Sequence, residues 1–108
     1  MPTVREATFD LFRKHGMTRM FGNPGSTELP MLQDYPDDFE YVLGLQEAAV
    51  VAMADGHAQV TGKPTLVNLH TAPGLGNAVG AIFNAQANHS PVVITVGQQV
   101  RSLVTLQA

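Results

Sequence analysis

The chain has 108 residues, 44% of them hydrophobic and 14% charged. That is enough apolar material for one folded domain and too little charge for a disordered tail. Nine acids against six scattered bases (net charge −3) exclude a nucleic-acid-binding surface, and a cysteine count of zero excludes disulfides, thiolate metal sites and a cysteine nucleophile.

Met1 to Glu6 lacks the basic start and apolar run of a signal peptide. No apolar stretch approaches the roughly 20 residues that span a bilayer. The expectation is a soluble protein, with no membrane partner and a composition that fits the cytoplasm. Val4, Ala7, Leu11 and Phe12 fall on one stripe at helical spacing, and Gly16 stops the helix they predict. Thr18 to Phe21 reads as a short strand ending at Gly22-Asn23-Pro24-Gly25-Ser26, a sharp turn. Ser26 or Thr27 is placed to cap a short helix running to about Asp34, with Pro30 in its first turn.

Phe39 to Leu43 predicts the next strand, and Gln46 to Val60 a helix apolar enough to be buried on most sides. Gly62-Lys63-Pro64 turns the chain into a strand over Thr65 to Leu69, and Gly74 opens a small-residue helix to about Asn88. Pro91 to Val96 is a β-branched strand bounded by Pro and Gly. Strands without polar alternation, separated by helices, predict an α/β fold: a parallel sheet covered on both faces, a flavodoxin-like three-layer arrangement. Residues 98–108 leave such a sheet with an open edge, so the expectation is a truncated domain.

In open parallel sheets ligands sit beyond the carboxyl ends of the strands, where Asn23 to Ser26, Glu47 and His70 to Asn77 should converge. Glu47, the one early charge of its apolar helix, is either a solvent-facing first-turn residue or a partly buried carboxylate whose ionisation is favoured by the helix dipole and opposed by burial. Asp55 lies eight positions on and is placed to cap backbone amides if buried. His70 is either an acid, base or donor at the ligand edge or a histidine bonded to loop backbone. His15, His57 and His89 lack partners at metal-ligand spacing, so no metal site is expected within the chain. Two glycine motifs fail. Gly56 to Pro64 has one residue too many for a phosphate loop, with Pro64 where a Ser or Thr must bind Mg. Gly74 to Gly80 places its third glycine one position late for a dinucleotide fingerprint, with no acidic residue downstream.

Taken together, Phe21 to Ser26, Leu45-Gln46-Glu47-Ala48-Ala49 running to Ala54-Asp55-Gly56-His57-Ala58, and Asn68-Leu69-His70-Thr71 to Gly76-Asn77 resemble the aminopyrimidine-binding domain of thiamine-diphosphate enzymes. They are most similar to the branch that decarboxylates benzoylformate. The resemblance covers the whole chain, 1–108, and departs from many members at His57, where they carry tyrosine.

The resemblance implies that Glu47 hydrogen-bonds a ring nitrogen of the aminopyrimidine, favouring the imino tautomer that deprotonates the thiazolium carbon. It further implies that Ser26 binds the carboxylate of a 2-oxo acid, that His70 assists proton transfers, and that Pro24, Gly25 and Asn77 line the cofactor. The diphosphate and its Mg ion would be held by a C-terminal domain lacking here, with no metal ligand in this chain. The isolated chain would then be inactive, of marginal stability and prone to self-association, and the complete enzyme a homo-oligomer, a dimer or tetramer. Alternatives are a stand-alone subunit of a split decarboxylase, a carboligase of the acetolactate synthase type, and a non-enzymatic domain in which Glu47 and His70 are structural.

Overall fold

Thr3 begins the first element: its hydroxyl accepts the Glu6 N–H while the Glu6 carboxylate accepts the Thr3 N–H, a capping box. The computed structural model describes residues 1–106; Gln107 and Ala108, the end of the expected domain and tail, lie outside the described residues. The elements are α1 (Val4–Lys14), β1 (Arg19–Gly22), a 3₁₀ turn (Ser26–Glu28) running into α2 (Leu29–Leu32), β2 (Glu40–Leu43), α3 (Glu47–Thr61), β3 (Thr65–His70), α4 (Thr71–Ala87), β4 (Val92–Gly97) and α5 (Arg101–Leu106). The strands pair in parallel in the order β2-β1-β3-β4. No described helix is long and apolar enough to cross a membrane.

The period-2 alternation of the strands sends side chains to two separate cores, because Met20 pairs with Leu66 in register and Phe21 with Val67. Met20 and Leu66 pack with Phe9, Phe12, Met17 and Phe39 on the α1 side. Phe21, Val67 and Leu69 pack with Val50, Val51, Ala54 and Ala78 of α3 and α4 on the other. Helices therefore cover both faces, as the α/β reading expected. The α1 core is aromatic, with Phe9 edge-on to Phe39 at 4.9 Å between centroids and to Tyr35 at 5.8 Å.

Several local expectations change. The α1 stripe is rotated: Phe9 and Phe12 are buried, while Val4 and Leu11 are exposed. Neither Ser26 nor Thr27 caps the second helical segment. Gly25 holds the cap position, and the Glu28 carboxylate reaches back to accept its N–H at 2.8 Å. Helix α3 buries Val50, Val51, Ala54 and Ala58, yet Val60 and Met53 stand exposed, so it is covered on one side rather than most. Helix α4 starts at Thr71, directly after β3, because Pro73 sits in its first turn where its missing N–H costs nothing. Asp55 is buried but binds side chains, not backbone: Asn88 at 3.1 Å, Gln59 at 2.9 Å, and Ser90. It thereby ties α3 to the turn before β4.

Candidate active site

The carboxyl ends of β1, β2 and β3 deliver their following segments to one edge, as the parallel order requires. Strand β1 ends in Gly22, and Asn23 follows it. Strand β2 leads through Gly44 to Gln46, whose side-chain oxygen accepts the N–H of Ala48 (2.6 Å) and Ala49 (3.2 Å) and so starts α3 at Glu47. Gly44 must lack a side chain because a Cβ there would fall 2.6 Å from Val50 Cγ2. Strand β3 ends in His70, and Asn77 follows on α4 two turns later.

Three of these residues meet. Asn23 Nδ2 donates to Glu47 Oε2 at 3.0 Å, and Asn77 Nδ2 donates to Oε1 at 3.1 Å. Glu47 is 9% exposed, so the buried-carboxylate alternative holds over the solvent-facing one. The Asn77 amide, reinforced by Asn23, the backbone and nearby His70, holds the Glu47 carboxyl below the usual carboxylate range, against the upward push of burial. The donors that decide this balance are two asparagines; the sequence places Asn23 at this edge with Glu47 and Asn77 but does not mark it as a donor to Glu47.

His70 is held by a second group. Its Nδ1 lies 2.9 Å from Glu28 Oε2 and 3.0 Å from Thr27 Oγ1, and Thr27 donates its hydroxyl to Glu28 Oε1 at 2.7 Å. The side chain of Glu28 is 1% exposed and that of His70 31%. His70 is thus bonded to side chains, not to loop backbone. Gly25 lies against the imidazole: a Cβ there would come closer than 3.0 Å to Cε1, Nδ1 and Nε2. Next to His70 the chain turns sharply, with Thr71 at φ 52°, a left-handed conformation that a β-branched residue rarely adopts and that marks a tightly determined strand–helix junction. Glu28 and Thr27 are further residues of this edge; the sequence marks Thr27 only as a candidate helix cap and Glu28 not at all. The signal available for Glu28 was its place three residues after Gly25, the spacing of a capping box.

Ser26 and Pro24 are exposed on the same turn, and the bonds that hold it come from Glu28 and Thr27. His57 lies at the opposite end of the sheet, where Arg19 donates to its Nε2 at 3.1 Å and its Nδ1 faces Thr65 Oγ1 at 3.2 Å. Among the described residues no group of three His, Cys, Asp or Glu is arranged to hold a metal.

The chain that folds into this parallel α/β domain matches the family model for the thiamine pyrophosphate enzyme N-terminal TPP binding domain over residues 2–108, and it belongs to that family. It is 57% identical, over all 108 residues, to 20% of the benzoylformate decarboxylase of Pseudomonas aeruginosa. Among solved structures it superposes on the benzoylformate decarboxylase of Polynucleobacter necessarius with TM-score 0.93 and 54% identity, over 100% of this chain and 20% of that one. It matches the thiamine diphosphate-dependent 4-hydroxybenzoylformate decarboxylase of Rhodococcus jostii with TM-score 0.93 and 58% identity, over 99% and 20%. Similarity to the mitochondrial acetolactate synthase of Schizosaccharomyces pombe is lower, 32% over 104 residues, or 94% of this chain and 16% of that one. The chain spans about a fifth of the length of these relatives.

Proposed function

We propose that residues 1–108 form the aminopyrimidine-binding domain of a thiamine-diphosphate-dependent enzyme that converts a 2-oxo acid, benzoylformate, to benzaldehyde and carbon dioxide. The observation that carries this reading is the Glu47 carboxylate, fixed between the Asn23 and Asn77 amides at the edge that also presents His70. Identity of 57% to a benzoylformate decarboxylase, against 32% to an acetolactate synthase, supports decarboxylation over carboligation.

The residues fit the aminopyrimidine end of the cofactor. Each Glu47 oxygen accepts one amide bond and keeps a second lone pair for a heterocyclic N–H. Gly25 and Pro24 offer a surface with little side chain, and Asn77 holds the carboxylate in register. Bound thiamine diphosphate supplies the nucleophilic carbon and the electron sink, which protein side chains lack. Glu47 shares a proton with the ring nitrogen. Its two amide donors favour the ionised form, and burial pushes the other way, toward a shared proton. His70 gives and takes protons in the reaction, and the Ser26 hydroxyl binds the substrate carboxylate. The diphosphate and Mg belong to a domain outside this chain, the complete enzyme is a homo-oligomer, a dimer or tetramer, and it works in the cytoplasm.

The test is the full-length protein containing this chain, assayed with benzoylformate in the presence of thiamine diphosphate and Mg. The expected result is benzaldehyde, lost on removal of cofactor and metal and recovered on their return. Acetolactate formed from pyruvate, with benzoylformate untouched, would overturn the substrate assignment.

A further inference from the structure

The group that holds His70 has a direction built into it. A carboxylate only accepts hydrogen bonds, so the ring nitrogen facing Glu28 at 2.9 Å is the one that carries a proton. The Thr27 hydroxyl, whose proton goes to Glu28 Oε1, faces the same Nδ1 with its lone pairs at 3.0 Å. Both neighbours therefore select the same tautomer, with the hydrogen on Nδ1 and the lone pair on Nε2.

The arrangement is built rather than incidental. Glu28 is a charged residue 2% exposed, and its two oxygens collect Gly25 N–H, Thr27 O–H and His70 Nδ1–H, which offsets the cost of burying the charge. Strand β4 leaves room for it: Gly97 pairs in register with His70, and a Cβ on Gly97 would fall 2.6 Å from Thr27 Oγ1 and 2.8 Å from Glu28 Cδ. Gly25 closes the other side by lying on the ring face. Glycines from two segments thus make space for one carboxylate–imidazole pair.

We propose that Glu28 is a positioning residue that sets the proton of His70 on Nδ1 and leaves Nε2 as the atom that exchanges protons at the site. This rests on the decarboxylase reading for its catalytic consequence, but the tautomer itself does not. An imidazole oriented by a carboxylate in this way has a fixed basic nitrogen and a nearby negative charge when it becomes imidazolium, the logic by which an orienting carboxylate serves a general base. The sequence distance of 42 residues between the partners hides the pair from any local motif.

The test uses the full-length protein with ¹⁵N-labelled histidine, in the resting state without substrate, at a pH where imidazoles are neutral; the His70 signal is assigned by its loss in His70→Ala. The expected spectrum places the hydrogen of His70 on Nδ1. In Glu28→Gln one amide oxygen must serve three donors, and His70 should populate both tautomers, with kcat down about 10²-fold or more and KM changed far less. Gly97→Ala, which alters neither partner but displaces the Glu28 carboxyl, should reproduce both effects. A His70 hydrogen on Nε2 in the unsubstituted protein would overturn the proposal, as would a Glu28→Gln variant with unchanged tautomer and kcat. Because the tautomer is read without substrate, a wrong choice of 2-oxo acid leaves it standing, whereas a wrong tautomer leaves the decarboxylase reading standing.

Discussion

The proposed function gives Glu47 two separable parts, a charge that holds the Asn23 and Asn77 amides and a carboxyl group that handles a proton. In Glu47→Gln an NH2 replaces one of the two oxygens, so either the Asn23 or the Asn77 amide loses its acceptor. Leaving such a part-buried donor unpaired costs at most about 1–3 kcal/mol of local stability, the full figure applying only where water cannot replace the lost acceptor. The catalytic loss expected for a group in general acid–base work is about 10²–10⁴-fold, or roughly 3–5 kcal/mol in the barrier. The two losses overlap in size, and the single variant cannot apportion them. The pair Glu47→Gln with Asn77→Asp can. It keeps the net charge and side-chain sizes, turns the Asn77 contact around so that residue 47 donates and residue 77 accepts, and leaves Asn23 donating to the remaining oxygen. Melting temperature and kcat of the full-length enzyme, with benzoylformate as substrate, give the two readouts. The expected outcome is recovery of most of the stability with kcat still down at least about 10²-fold. If the double variant regains kcat to within about tenfold of the unsubstituted enzyme, Glu47 is a structural anchor and the proton-sharing role is refuted.

Three further outcomes follow from the same structure. Gly25→Ala should force the His70 ring off its position, costing about 1–3 kcal/mol from overpacking and about 10²-fold in kcat, as read by denaturant unfolding and steady-state kinetics; near-normal kcat would show that His70 tolerates displacement. Leu66→Ala removes a fully buried side chain from the aromatic core on the α1 side and should destabilise the protein by about 2–5 kcal/mol, visible as a lower unfolding midpoint at unchanged m-value. The Ser90, Gln59 and Asn88 bonds hold the Asp55 carboxyl below its ordinary value of 3.8 in the folded chain. A depressed folded value means that the stabilisation is present above 3.8 and is lost as pH falls through the folded value, so Asp55→Asn should flatten the acid limb of a stability–pH curve.

What was legible in the sequence is what period and punctuation encode. The strands announced themselves as short runs without polar alternation, and a parallel order followed because each is separated from the next by a helix. That order alone predicted that the segments after β1, β2 and β3 would meet, and Glu47 and His70 are found at that edge. The orientation of α1 was misread for a physical reason. Of the stripe Val4, Ala7, Leu11 and Phe12 only Phe12 is buried, and the buried direction lies roughly 100° around the helix from the stripe's centre, where Phe9 and Phe12 bring far more apolar area. Period counts residues, whereas burial counts area, so two aromatic rings outweigh three aliphatic side chains.

The partners of the site residues were illegible for a different reason. A hydrogen-bonding partner is fixed by tertiary distance, and Asn23, 24 residues before Glu47, or Glu28, 42 before His70, carries no local mark of its target. Glycine is the exception that could have been used more. Gly25 and Gly97 are each needed not for a turn but because another side chain, His70 or Glu28, occupies the space a Cβ would take. A glycine in or beside a strand, where it weakens the strand, is a sign of close approach. Gly97 at the end of β4 and Gly25 in the turn after β1 together point to the same His70–Glu28 pair from opposite sides. The candidate site at this edge of the domain is thus specified as much by which residues lack side chains as by which residues carry charge.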